Sequence, residues 1–114
     1  MSYDVYLRIN TGKEEHTVVN CGNYTSNVGK MYREAFPANP EGIRNGIDTI
    51  HDVKADMAVM LLEMAISAMK ASPTIYESMN PVNGWGDYTG ALQYLLDIQE
   101  QCIQHPACTV YLSA

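Results

Sequence analysis

Near the N-terminus apolar and polar positions alternate: Tyr3, Val5, Leu7 and Ile9 against Asp4, Tyr6, Arg8 and Asn10. A period of two marks a strand with one face buried, so a strand is predicted over Ser2 to Asn10. Asn10-Thr11-Gly12-Lys13 has turn composition, and His16 to Cys21 reads as a second strand. Together they predict an antiparallel hairpin. Gly22 to Asn27 is polar and reads as a loop, in which Thr25, Ser26 or Asn27 caps a short helix from Val28 to Phe36. Pro37 and Pro40 end that helix.

The period then changes. Ile43 to Ile50 reads as a short helical turn or loop. Asp52 is expected to cap a helix over Val53 to Ala71, with Val53, Met57, Met60, Leu61, Met64 and Ala68 as the buried stripe. Lys54, Glu63 and Lys70 would lie outside it. Ser72-Pro73 closes the helix, and Thr74 to Met79 reads as a short helical segment. Asn80-Pro81 and Asn83-Gly84 are turn dipeptides. Asp87 is placed to cap a last helix in which Leu92, Leu95, Leu96, Gln99, Cys102 and Ile103 recur at helical spacing, until Pro106 stops it. Thr109 to Leu112 predicts a final strand. The fold class is therefore α+β: one domain over 1–114, whose N-terminal hairpin and C-terminal strand form a small antiparallel sheet packed against three to four helices.

Composition narrows the function. Seven basic residues face thirteen acidic ones, a net charge of −6, and no Lys or Arg occurs from Ala71 to Ala114. Direct nucleic-acid binding needs clustered Lys and Arg, so it is not expected. A basic surface on another protein, such as a nucleic-acid channel, is the better electrostatic match. Eight Tyr and seven Met stand beside a single Phe, and both types suit adaptable contact surfaces as well as core. Cys21, Cys102 and Cys108 are odd in number and form no Cys-x-x-Cys pair. With no signal peptide and no apolar run of membrane length, the expected setting is a reducing cytoplasm without membrane contact.

Catalytic signatures are sparse. His51, Asp52 and Asp56 have the letters of a metal site but lack companion His residues, and a helix start accounts for them better. There is no nucleophile elbow and no phosphate loop, because Gly84-Trp85-Gly86 lacks the third Gly and the Lys. No enzyme activity, metal or cofactor is expected.

Two polar-aromatic segments carry the binding hypothesis. Asn23, Tyr24 and Asn27 belong to one; Asn83, Trp85, Asp87 and Tyr88 belong to the other. Each precedes a helix, and uncharged donors beside aromatic rings suit sugars, nucleobases or protein hot spots. The hypothesis requires the two segments to meet in space. For Trp85 the first reading is a buried plug between loop and helix; the alternative is a recognition loop. Asp97, further along the last helix, is added as part of an acidic contact surface.

The opening Met1-Ser2-Tyr3-Asp4-Val5-Tyr6-Leu7 and the segment Asn23-Tyr24-Thr25-Ser26-Asn27-Val28 together resemble a group of small uncharacterised phage and prophage proteins. In that group a Ser-Tyr-Asp-aliphatic-Tyr-Leu start precedes an Asn-x-Thr-x-Asn segment, a helix and a Gly-containing loop before a final helix. The Trp loop departs from the group's pattern. The resemblance implies a phage accessory protein acting in bacterial cytoplasm, and brings no activity with it. The expectation is an inhibitor or modulator of a host defence system, anti-CRISPR-like, that binds a host protein through an acidic, aromatic surface. The alternative is a sponge for a small nucleotide signal, with Tyr24, Asn27, Trp85 and Asp87 forming the pocket. A homodimer through exposed sheet edges is a further expectation.

Overall fold

A computed structural model describes residues 1–10, 14–37 and 44–114. The expected turn at 11–13, the helix stop at Pro40 and the start of the segment at Ile43 lie outside the described residues. The alternation at the N-terminus folds as a strand, β1 (Ser2–Asn10), with Val5 and Leu7 fully buried. It is the centre of a three-stranded antiparallel sheet, flanked by β2 (Glu15–Thr25) and β3 (Thr109–Ser113) in the order β2-β1-β3. Val110 and Leu112 of β3 join Val5 and Leu7 in the core. On the opposite face Arg8 stacks its guanidinium 3.6 Å from the centroid of Tyr111.

The helices cover one face of this sheet. They are α1 (Gly29–Ala35), α2 (Ala55–Ala71), α3 (Pro73–Glu77) and α4 (Tyr88–Gln104), with 3-10 turns at Ser26–Val28 and Gly46–Ile50. The hairpin plus C-terminal strand against four helices is the α+β arrangement that the pattern predicts. Tyr32 of α1 lies at the heart of the core, and its hydroxyl donates to the Ala91 carbonyl of α4 across 2.9 Å. Burial pushes the Tyr32 hydroxyl far above its ordinary range, so it stays a neutral donor. Cys102 is buried in the core, as its position on the last helix suggested.

Three expectations need correction. First, β2 does not stop at Cys21. It runs to Thr25, with Asn23 opposite Asp4 and Tyr24 opposite Tyr3. Gly22, at φ +87°, absorbs a register shift that a side-chain-bearing residue would resist, and the ladder continues past it. Second, Asp52 does not cap α2. It sits at φ +63°, and residues 51–54 instead pair with β3: Asp52 N–H donates to Val110 O (2.8 Å) and Val110 N–H to Val53 O (2.9 Å). The helix starts later, at Ala55. Third, α2 buries a different face. Ala55, Ala58, Leu62, Ala65, Ile66 and Met69 face the core, while Met57, Met60 and Met64 point outward. The helix is apolar on most sides, so its periodicity has no single answer. Packing chose the side with three small alanines, which let neighbouring backbone approach closely. Among the described residues no helix is long and apolar enough to cross a membrane.

Candidate functional site

The two polar segments meet. The end of β2 and the first 3-10 turn lie against the loop that leads from α3 into α4, and a cleft of 530 Å³ opens between them. Met1, Ser2, Asn23, Tyr24, Thr25, Asn27, Asn83 and Trp85 line it. None of these is Asp, Glu, Lys, Arg or His, so the side chains offer neutral donors, acceptors and rings. Strand pairing explains Ser2, which the sequence reading missed: the hairpin register sets it opposite Thr25.

Local hydrogen bonds shape the loop. Asn83 Oδ1 accepts from Trp85 N–H (3.0 Å), Asn80 Oδ1 accepts from Tyr88 N–H (2.8 Å), and Gly84 N–H donates to Pro81 O (3.3 Å). These are side chains standing in for backbone turns. Gly84 and Gly86 adopt φ +76° and +89°, the left-handed region that glycine enters at no steric cost. A Cβ on Gly86 would come within 2.5 Å of Thr25 Cγ2, and one on Gly90 would overlap the Tyr24 hydroxyl. The absence of side chains at these two positions lets the segments touch.

Tyr24 is the bridge. Its hydroxyl accepts from Asp87 N–H at 3.1 Å, and its ring stacks on Tyr94 of α4 with centroids 5.8 Å apart. Tyr94 in turn donates to Gly22 O across 3.0 Å, and burial raises its pKa well above the usual phenol range. The bridge thus ties β2 to the first two turns of α4.

Trp85 is 69% exposed, which overturns the buried-plug reading. The two flanking left-handed glycines turn the chain so that the indole projects outward. Tyr24, Thr25 and Val28 fill the space beneath Gly86 instead.

The remaining expected site residues divide. Asn23, Tyr24, Asn27, Asn83 and Trp85 line the cleft. Asp87 is not part of the lining; its carboxylate caps α4, accepting from Gly90 N–H at 2.7 Å. Tyr88 turns inward, donating to Met69 O (2.8 Å) and stacking on Tyr76. Asp97 lies ten positions beyond Asp87, roughly 15 Å along the helix, beside a separate depression of 210 Å³ against β2. It accepts from Gln93 Nε2 (2.9 Å) and belongs to another surface.

Elsewhere reactive groups are held in structural contacts. Burial pushes the thiols of Cys21 and Cys102 up to about 11 and about 12, which keeps them protonated and weakly nucleophilic near neutrality. His51 Nδ1 accepts from Leu112 N–H (2.9 Å), leaving Nε2 facing the Asp52 carboxylate at 3.4 Å. Asp56 accepts from Met57 N–H in the first turn of α2. Among the described residues no three His, Cys, Asp or Glu side chains group as a metal site would require. The chain matches no protein-family model, no curated protein and no solved structure.

Proposed function

We propose that the protein acts by stoichiometric binding of another protein, with Trp85 as anchor and the cleft of uncharged side chains beside it as socket. The supporting observation is an indole 69% exposed at the rim of a 530 Å³ cleft. Tryptophan is among the residues richest in binding energy at interfaces, and water contact leaves that energy unspent until a partner covers the ring. The loop beneath is ordered by its own hydrogen bonds, so docking loses little conformational entropy. Neutral amides and hydroxyls in the cleft suit backbone groups and uncharged side chains of a partner.

The sequence resemblance favours a phage accessory protein, and the acidic balance favours a target with a basic, nucleic-acid-binding surface. In this reading the partner is a bacterial host-defence protein, held inactive by occupation rather than by covalent change. The test is native mass spectrometry of the tagged protein recovered from its bacterial host, wild type beside Trp85→Ala. Added mass the size of a protein, lost in the variant, supports the reading. Added protein mass that survives Trp85→Ala removes the cleft from the interface.

The cleft volume also falls within the range of small-molecule sites, about 300–1,000 Å³, which favours a nucleotide-signal sponge as the second reading. The amide, hydroxyl and aromatic side chains that line it suit a base or sugar. Titration with cyclic nucleotides, followed by Trp85 fluorescence, decides it: a flat trace counts against the sponge.

A further inference from the structure

Hydrogen bonding along the Trp85 cleft is one-sided. Wherever a group on its wall is bonded within the fold, the bonded atom is an oxygen acting as acceptor. Asn83 Oδ1 accepts from Trp85 N–H (3.0 Å), Thr25 Oγ1 from Asn27 N–H (3.3 Å) and the Tyr24 hydroxyl from Asp87 N–H (3.1 Å). The Met1 carbonyl accepts from both the backbone N–H and the hydroxyl of Ser26, each at 3.1 Å. The side-chain donors on the same wall are unused. Among the described residues, the Asn83 amide, the Trp85 indole N–H and the hydroxyl hydrogens of Tyr24 and Thr25 donate to nothing within the fold. Asn23 and Asn27 are exposed, and their side-chain amides make no hydrogen bond in either role.

A ligand that fits this wall brings acceptors and few donors. A helix does not, because its carbonyls are engaged in its own hydrogen bonds. A sugar or nucleobase brings hydroxyl or amino hydrogens as well, and the fold has already occupied the oxygens of Asn83, Thr25 and Tyr24. Phosphates bring acceptors, but a chain of net charge −6 repels them. An extended proline-rich segment meets the requirement. In the polyproline II conformation no carbonyl is bonded internally, and proline carries no N–H. Its rings also pack against aromatic side chains, and Trp85 is 69% exposed at the cleft rim.

We propose, resting on the protein-binding reading of the cleft, that the part of the partner entering it is a proline-rich segment in the polyproline II conformation. A proline ring lies on the Trp85 indole. Backbone carbonyls of the segment accept from the Trp85 indole N–H and from the amides of Asn83, Asn23 and Asn27. Such a segment is already stiff before it binds, so little conformational entropy is lost on docking.

The test titrates the full chain into fluorescein-labelled decaproline, beside the same peptide with every second proline replaced by alanine. The alanine peptide restores N–H groups and removes rings, and by anisotropy it should bind at least about tenfold more weakly. The chain has one Trp, so its single indole N–H signal in nitrogen-15 NMR should shift as decaproline is added. Asn83→Asp keeps an oxygen for Trp85 N–H and removes the amide donor. It should leave circular dichroism unchanged and weaken decaproline binding by about tenfold or more. Trp85→Ala should weaken it likewise. Equal affinity for the two peptides, an indole signal that does not move, or full affinity in either variant overturns the proposal. Native mass spectrometry reports separately on the broader reading. Protein mass captured from the host and lost in Trp85→Ala, beside a flat decaproline titration, keeps the cleft as a protein-binding site and removes the proline-rich segment from it.

Discussion

The hydroxyl of Tyr24 accepts a hydrogen bond from the backbone N–H of Asp87, a residue 63 positions away in the chain, at 3.1 Å. That N–H belongs to the capping residue of α4, so one tyrosine fixes both the loop and the entry to the last helix. Tyr24→Phe removes the acceptor and keeps the ring. The expected loss is about 0.5–1.5 kcal/mol, read as a fall in Tm of several degrees.

Gly90→Ala sets two effects against each other. Alanine in a helix gains about 1 kcal/mol over glycine. The new methyl, however, would overlap the Tyr24 hydroxyl and come within 2.8 Å of its Cζ. The ring is stacked on Tyr94 and cannot simply swing aside, and overpacking costs about 1–3 kcal/mol. The clash should win: Tm falls and partner affinity at the cleft falls with it. A variant more stable than wild type would show that Tyr24 is freer than its contacts indicate.

Asp87→Ala separates stability from recognition. The carboxylate caps α4 but does not line the cleft. Losing the cap should cost about 1 kcal/mol and leave the affinity of the folded protein nearly unchanged. Trp85→Ala should do the reverse, sparing Tm and weakening partner binding. Chemical denaturation beside a binding titration distinguishes the two patterns.

His51→Phe should be among the more damaging single changes outside the core. It leaves Leu112 N–H without its acceptor in a half-buried setting, at a cost of about 1–3 kcal/mol. Urea unfolding of the variant measures it, and a neutral result would mean that another acceptor reaches Leu112.

Alkaline pH should destabilise the fold in a defined window. Burial raises Cys21 and Cys102 from 9.0 to about 11 and about 12. The folded state therefore retains protons that the unfolded chain releases. Their contribution is complete below pH 9 and is lost as pH rises through 11 to 12. Melts recorded across that range should show a falling Tm, and Cys21→Ser should make the fall shallower.

Much of the architecture was legible in the chain because its signals were unambiguous. The alternation of Tyr3, Val5, Leu7 and Ile9 has one strand solution, and Asp87 before the helical spacing of α4 has one capping solution. The face of α2 was not legible. With Met, Leu, Ile and Ala on most sides, nothing local distinguishes Met60 from Leu62, and only the neighbouring elements decide which is buried. Asp52 misled for a similar reason: a carboxylate before a helix favours a cap, but pairing of the adjacent backbone with β3 took precedence. The cleft residues Asn23, Tyr24, Asn27, Asn83 and Trp85 could be named from their chemistry. Their meeting depends on Gly86 and Gly90 giving way to Thr25 and Tyr24, a contact between distant segments that no local pattern encodes.

The backbone of residues 51–54 bonds to β3 on the side away from β1, whereas among the described residues β2 has a strand neighbour on one side only. The sheet can therefore grow in one direction. Should two copies pair their β2 strands, each would consume the other's single free edge, and no site would remain for a third. Association by strand addition would end at two chains, a closed pair in place of a fibre, so the covering of β3 acts as a chain terminator.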